Sequence, residues 1–398
     1  MKFLRTLSTS RLIILVAAVL ALSGGGAAIA VAAGSGGPTP PAKPLDQAIQ
    51  DALTAPAPDG VTARITFTNN LFPSGAVLGN LGSALISGAS GRLWMTNDGR
   101  GRIELQSDSG DVQIEWNTST VSVYDASSNT VYRANLPSSK SGANSATDQG
   151  TPPALADIDK LLNTLGAHAT VSAAQPTNVA GQPAYSVTIS PKHDGGLLGA
   201  AELAFDAAHG VPLRLAIYAQ GSSSPVLALE ATEISFGAVA ASDVEVSPPA
   251  DAKVVDLSSA QSPSSPTDSS PANGAITGLD AVQAAAGFPV TAPDTLVGLP
   301  RKDIRLVGTS GSKTAIAVYG QGLGAIVLAE RSADTSTSGS AGSDPLSSLP
   351  TVSLDGVSAH ELATQLGTVL AWRSGGTAYV LAGSLPAAAA EAAARLIK

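Results

Sequence analysis

The side chains able to do chemistry are few and far apart. Four histidines, His168, His193, His209 and His360, share no spacing that would gather them around a metal. The chain has no cysteine, so thiolate ligands, a thiol nucleophile and disulfides are all excluded. No Gly-x-Ser-x-Gly elbow presents a serine. Gly320-Gln321-Gly322-Leu323-Gly324 has the glycines of a phosphate cradle, but another strand-like run follows where a helix would be needed, so it reads as a hairpin turn. Two carboxylate pairs, Asp108 with Asp111 and Glu104 with Glu115, fall on the wet side of strand-like runs, with nothing apolar around them to lift a pKa. The expectation is a protein that is not an enzyme and needs no metal or cofactor.

Composition narrows the partners. The net charge is −9 and no basic cluster exceeds Arg301-Lys302, which argues against nucleic acid, because phosphate binding needs a basic face. Hydrophobic residues make up 44% but aromatics only 4%, with 41 Gly and 26 Pro, a balance of Ala, Val and Leu with turn punctuation that suits sheets and loops. What is left to carry function is apolar surface.

That surface is assembled by the stretch from Gly91 to Leu136. Leu93 and Met95, Ile103 and Leu105, Val112, Ile114 and Trp116, then Val121 and Val123 recur at period two with polar residues between them. The breaks at Asn97-Asp98-Gly99, Asp108-Ser109-Gly110, Asn117-Thr118 and Ser127-Ser128-Asn129 are turn chemistry, so the reading is an antiparallel meander of five strands with one oily face. Val61 to Thr68 adds another strand, with Ile65 and Phe67 on the same side. Ile65, Phe67, Leu93, Met95, Ile103, Leu105, Ile114, Trp116, Val121 and Val123 are therefore the candidates to line a lipid-binding concavity.

The flanking segments supply covers. Between Asn69 and Ser90 lies a long, apolar, glycine-punctuated loop whose Leu71, Phe72, Leu78, Leu81 and Leu85 fold over the oily face as a fixed plug or a movable lid. Leu45, Ile49 and Leu53 recur at helical spacing after Pro44, and Leu155, Ile158, Leu161, Leu162 and Leu165 mark a second covering helix stopped by Gly166. Alternation resumes at Tyr185 to Ile189, Leu203 and Phe205, Leu213 to Ile217, Leu227 and Leu229, and Ile234 and Phe236. At the N-terminus, Lys2, Arg5 and Arg11 precede the apolar run Leu12 to Ala33, an export signal that either stays as a transmembrane anchor or is cleaved near Ala30 to Ala32. Leu22-Ser23-Gly24-Gly25 has the shape of a lipobox without its cysteine, so no lipid is attached there. Both outcomes place the rest of the chain on the extracytoplasmic side.

Gly91-Arg92-Leu93-Trp94 leading to Gly110-Asp111, Val123-Tyr124-Asp125, Val179 to Tyr185, Gly210-Val211-Pro212-Leu213-Arg214 and Ser247-Pro248-Pro249 together resemble the LolA-like family of lipoprotein carriers, across about Pro44 to Leu257. Relatives of that family include lipid-binding mycobacterial lipoproteins and the periplasmic regulator RseB. The resemblance implies a mainly β, α+β fold: a LolA-like unclosed antiparallel β-barrel with covering helices, holding acyl chains or lipoprotein anchors. The domain plan is then residues 1–33 as signal or anchor, 34–43 as a Pro/Gly tether, 44–257 as the half-barrel, 258–275 as a Pro/Ser linker and 276–398 as a small α+β domain.

In the last part Thr277 with Asp280 would cap a helix to Ala286 and Ser358 with Glu361 a second one containing His360, and Ser384-Leu385-Pro386 would start a last, Ala-rich helix. Strands are expected at Ile304 to Val307, Ala315 to Tyr319, Ala325 to Ala329, Thr368 to Arg373 and Thr377 to Ala382. The leading expectation for function is a non-catalytic, extracytoplasmic carrier of a lipid or acylated lipoprotein, held at the cell membrane by its anchor or secreted if the signal is cleaved. The alternative is an RseB-like sensor that binds a membrane-protein partner, motivated by the second domain.

Overall fold

The computed structural model describes residues 37–71, 84–136, 155–192, 196–256, 276–308, 313–333 and 349–397. The expected anchor at Leu12 to Ala33, the linker at 258–275, His193 and the lid residues Phe72, Leu78 and Leu81 lie outside them. Among the described residues no helix is long and apolar enough to cross a membrane.

The first part runs α1 (Leu45–Thr54), β1 (Gly60–Asn69), α2 (Ala84–Ser87), β2 (Ala89–Thr96), β3 (Gly101–Gln106), β4 (Val112–Trp116), β5 (Thr120–Asp125) and β6 (Thr130–Asn135). After α3 (Leu155–Gly166) come β7 (Ala169–Val171), β8 (Gln175–Val179), β9 (Gln182–Pro191), β10 (Leu198–Asp206), β11 (Pro212–Ala219) and β12 (Pro225–Phe236), then α4 (Ala241–Val244) and β13 (Lys253–Asp256). These strands form one unclosed 13-stranded sheet in the order β13-β6-β5-β4-β3-β2-β1-β12-β11-β10-β9-β7, with β8 also on β9. Pairing is antiparallel except between β13 and β6.

Turn chemistry explains why the meander forms. Gly99 takes φ 91° and Asn129 φ 45°, angles that glycine and asparagine reach most cheaply. Asn117 Oδ1 accepts the amides of Ser119 and Thr120, so the β4–β5 turn is closed by its own side chain. Leu227, Leu229, Ile234 and Phe236 lie on one long strand rather than two, because β1 pairs along its whole length with one register shift beside Arg64 and Ile65.

The second part is β14 (Ile276–Thr277), α5 (Leu279–Ala286), β15 (Thr295–Leu296), β16 (Leu299–Val307), β17 (Thr314–Tyr319), β18 (Ile326–Ser332), β19 (Thr351–Leu354), β20 (Val357–Thr364), β21 (Gly367–Ser374), β22 (Thr377–Gly383) and α6 (Ala387–Arg395). Its sheet has the order β14-β16-β17-β18-β22-β21-β20-β19. Three details depart from the sequence reading. The stretch from Ser358 to Glu361, expected to cap a helix with His360 in its first turn, is strand β20: Asp355 and Gly356 take φ 49° and 96° and turn the chain back on β19, while β21 pairs with its other edge. The cap of α5 is Gly278, without a side-chain bond from Thr277. Finally, Gly322–Gly324 is a 3-10 turn between β17 and β18, so the expected hairpin carries one helical turn.

Both helices of this second part close one face. Val282 and Ala286 of α5, and Ala390, Ala393 and Ala394 of α6, join Ala315, Ala317, Tyr319, Leu328, Leu370 and Leu381 in a single continuous core.

Candidate functional site

Residues directly opposite in antiparallel strands point to the same side, so the ladders fix which side chains share a surface. One row is Ala63, Leu93, Ile103, Ile114 and Val123; the next is Val61, Met95, Gly101, Trp116 and Val121. Ile65 lies opposite Gly91, and Gly91 opposite Leu105; Phe67 follows two positions along β1. All ten candidate residues therefore share one face. The structure divides them by depth: Ile65, Met95 and Leu105 are buried at 4%, 7% and 3% exposure, whereas Phe67, Leu93, Ile103, Ile114, Trp116, Val121 and Val123 are half-buried.

The face closes unevenly. Leu85, with Ala84 beneath it, packs on the Ile65 and Leu105 end, as do Leu229, Ile234 and Ala180. Ala180 and Gly181 form the β8–β9 turn at φ 52° and 78°. Trp116 lies flat over Gly101, where an added Cβ would come within 2.1 Å of its ring, so glycine there is what lets the indole lie down on the sheet. Leu71, two residues past the end of β1, is half-buried.

The covering helices sit on the other half. Ala48 and Ala52 of α1 pack on Tyr185, Val187, Ile189 and Phe205. Gly210, at φ 66°, allows the β10–β11 turn to reach α1, since a Cβ would meet Ala52 O at 2.3 Å. Helix α3 packs on α1 and β7 rather than on the meander. The tether residues are docked too: Asn178 Nδ2 donates to Pro38 O at 2.9 Å and the Tyr185 hydroxyl to Pro41 O at 2.7 Å.

The outer face carries the charge. Glu202, 7% exposed, accepts from Ser186 Oγ at 3.0 Å and from the Tyr218 hydroxyl at 2.7 Å, while Arg214 bridges Glu230 and the Tyr218 oxygen. Burial, and then Glu202, raise the Tyr218 pKa. Glu115, expected to be solvated, is covered instead. The segment through α4 crosses β2 and β3: Val246 N donates to Glu115 Oε1 at 3.2 Å and Arg102 Nη1 to Asp243 O at 3.1 Å. Burial under this strap pushes the Glu115 carboxyl up and the Arg102 guanidinium down. The strap is an outer brace of the meander, and it feeds β13 onto β6.

His168, His209 and His360 have structural surroundings. His209 donates its amide to Asp206 Oδ1 at 2.6 Å and packs its ring, tilted by 33°, against Phe236 with centroids 4.2 Å apart, closing the β10–β11 turn. His360 Nδ1 lies 3.3 Å from Leu349 O, and His168 is in the turn after α3. Among the described residues no group of three or more metal-ligating side chains gathers.

A cavity of about 550 Å³ opens at the ends of β1, β2 and β3, lined by Thr66, Thr68, Asn70, Ser90, Gln106 and Asp108 among others. Its lining is polar and it opens at the strand ends, where the two sheets meet. Gln365 Nε2 donates to Asn70 O at 2.5 Å and Gln365 N to Leu71 O at 3.4 Å. Leu197 N donates to Ser384 Oγ at 2.9 Å. The apolar tip at Leu197 and Leu198 thus abuts the second sheet.

The chain is a mainly β protein: an unclosed antiparallel sheet with an apolar inner face and helices over part of it, joined to a smaller α+β sheet layer. No protein-family model matches the sequence, and no curated protein does. Among solved structures it is similar to MucB in complex with MucA(peri), at 14% identity over 89% of this chain and 96% of that one, with a TM-score of 0.40. It is similar to the Pseudomonas aeruginosa MucA/MucB complex at 14% identity, 88% and 94% coverage and TM-score 0.39. An uncharacterized conserved protein from Thermus thermophilus aligns at 11% identity over 53% of this chain and 96% of its own, with TM-score 0.32.

Proposed function

We propose that the chain is a non-catalytic, extracytoplasmic binding module in which two domains, residues 44–257 and 276–398, together hold a segment of a membrane-protein partner, in the manner of an RseB-like regulator. The observation that carries this reading is the pinning of the second sheet to the rim of the first by Gln365 on Asn70 and Leu71 and by Leu197 on Ser384. A simple carrier has no use for that junction. The pins hold polar backbone groups of two separate sheets in one geometry, so a segment laid across both meets a preformed surface. Residues 1–33 would hold the module at the outer side of the cytoplasmic membrane as an anchor, or deliver it outside the cell as a cleaved signal. Gln365→Ala with Ser384→Ala removes side-chain bonds worth about 0.5–1.5 kcal/mol each, one of them the Ser384 hydroxyl's own bond to Leu366 O inside the second sheet, and so should weaken partner retention by about tenfold while leaving the first sheet's melting curve in place and lowering the second's only slightly. Tagged full-length protein, taken from its own envelope in mild detergent, would test this. Undiminished retention by the double variant would overturn the role of the junction.

A second reading, carriage of a lipid or acylated lipoprotein, is favoured by the half-buried Leu93, Ile103, Ile114, Trp116, Val121 and Val123 on the inner face. An acyl chain there would complete their burial, at roughly 25 cal/mol per Å² of apolar surface. A fluorescent fatty acid added to the full chain should then bind, and Ile114→Asp should abolish its uptake, because an unpaired carboxylate there must be desolvated or protonated.

A further inference from the structure

The second sheet has two faces, and the helices use one. Ala315, Ala317, Tyr319, Leu328, Leu370 and Leu381 lie beneath α5 and α6. The residues between them point the opposite way. Asp303 lies opposite Val318, Val318 opposite Val327, Val327 opposite Ala382, Ala382 opposite Val369 and Val369 opposite Leu362. In the next row Ile316, Ala329, Val380 and Ala371 follow Arg305. Across β17, β18, β22 and β21 this outward face is therefore aliphatic over two rows, bounded by Asp303 and Arg305 on β16 and by His360, opposite Ala371, on β20, where a solvated antiparallel face normally alternates to polar residues throughout. Val327 is 39% exposed and Ile316, Val318, Val369, Val380 and Leu362 are half-buried.

Two further features say what covers it. Arg331 and Arg373 lie one row beyond Ile316 and Val380, both exposed, and among the described residues neither has an ion-pair partner; Arg305, beside them, has Asp303. At the opposite strand ends the face runs into the junction with the first sheet, since Gln365 follows β20 and Ser384 follows β22. The face thus continues an interface already built and ends in free cations.

We infer that this outward face of the second sheet docks an amphipathic helix of a partner protein, its apolar side on Ile316, Val327, Val369 and Val380 and its Asp or Glu residues at Arg331 and Arg373. The inference rests on the reading above and names the face and the chemistry of the partner. A helix matches because the same sheet already packs two helices on its other side, in layers of about 10 Å. An anionic membrane would also meet arginines, but the face adjoins the first sheet at one end, which favours a chain segment over a plane of lipid.

The test places p-benzoylphenylalanine at Val327 or Val380 of the full-length protein in its own envelope, with Leu161, 40% exposed on α3, as the control position. The proposal expects a cross-link to one polypeptide from Val327 and Val380 and none from Leu161. The cross-linked peptide, read by mass spectrometry, should carry apolar residues at helical spacing with Asp or Glu beside them. Arg331→Glu with Arg373→Glu, both at exposed positions where substitution leaves folding intact, should reduce the yield at least tenfold. A cross-link to a second copy of the chain, binding of the purified protein to phosphatidylglycerol vesicles that the same double variant removes, or a peptide lacking acidic residues would each overturn the proposal. If a polypeptide is retained by the wild type but never cross-links from this face, the proposal fails and the two-domain reading stands; if no polypeptide is retained at all, both fail.

Discussion

The two sheets meet the same requirement in opposite ways. Each has one apolar face that must leave water. In the second sheet α5 and α6 cover it with a single continuous core, so Leu328, Leu370 and Leu381 are fully buried. In the first sheet the apolar residues fall into several smaller clusters, and Ile103, Ile114, Trp116, Val121 and Val123 of β3 to β5 stay half-buried on the inner face. The difference teaches where binding capacity resides. A filled face gives stability and rigidity; an incompletely covered one retains contact area for something else.

The largest test of that contrast is cavity creation on each side. Leu328→Ala removes a side chain with no exposure and should lower stability by about 2–5 kcal/mol, whereas Ile114→Ala, half-buried, should lower it by less than about 1.5. Denaturant unfolding followed separately for the two sheets would measure both. Equal losses would break the contrast.

The filled core also contains one charge out of place. Glu330, 1% exposed, lies on the helix-covered face, where it accepts Thr291 N at 2.7 Å near the Tyr319 hydroxyl. Burial pushes its carboxyl from 4.5 up to about 7, and lifts the Tyr319 hydroxyl to about 12. Below pH 4.5 both folded and unfolded chains hold the proton and the site has no effect. Between 4.5 and about 7 the unfolded chain loses it first, so stability falls as pH rises, by about 3 kcal/mol in full above pH 7. Glu330→Gln keeps an acceptor for Thr291 and should raise the melting temperature at pH 8 while leaving it unchanged at pH 4. A variant that is destabilised at pH 8 would show that the carboxylate is held by partners, not penalised by burial.

Overpacking sharpens the comparison within the first sheet. Leu105, 3% exposed, already sits among Ile65, Val112 and Ala231, so Leu105→Phe should cost about 1–3 kcal/mol. Leu93, half-buried two positions along the facing strand, should accept tryptophan at a cost of less than about 1. Thermal melts of the two variants give the order directly. A larger loss at Leu93 would mean that the inner face is closed throughout.

How much of this was legible in the sequence follows from the range of the interactions involved. The meander and its apolar face were readable because period-two alternation and the turns at Gly99, Gly110 and Asn129 are local and agree with one another. Strand β20 was not. Ser358 and Glu361 have the spacing of a helix cap, but pairing with β19 and β21, which no local pattern encodes, decides the outcome. Likewise the burial of Glu115 comes from a strap 131 residues away, and the junction joins Gln365 to Asn70 across 295 residues. The aliphatic outward face of the second sheet became visible only when register showed which side of each strand the helices cover.

The measurement that tests the central claim most directly is native mass spectrometry of the full-length protein released from its own envelope in mild detergent. The two-domain reading predicts a polypeptide adduct at one copy per chain, lost from the Gln365→Ala, Ser384→Ala variant. Chains that emerge bare, or that carry only lipid, would contradict it.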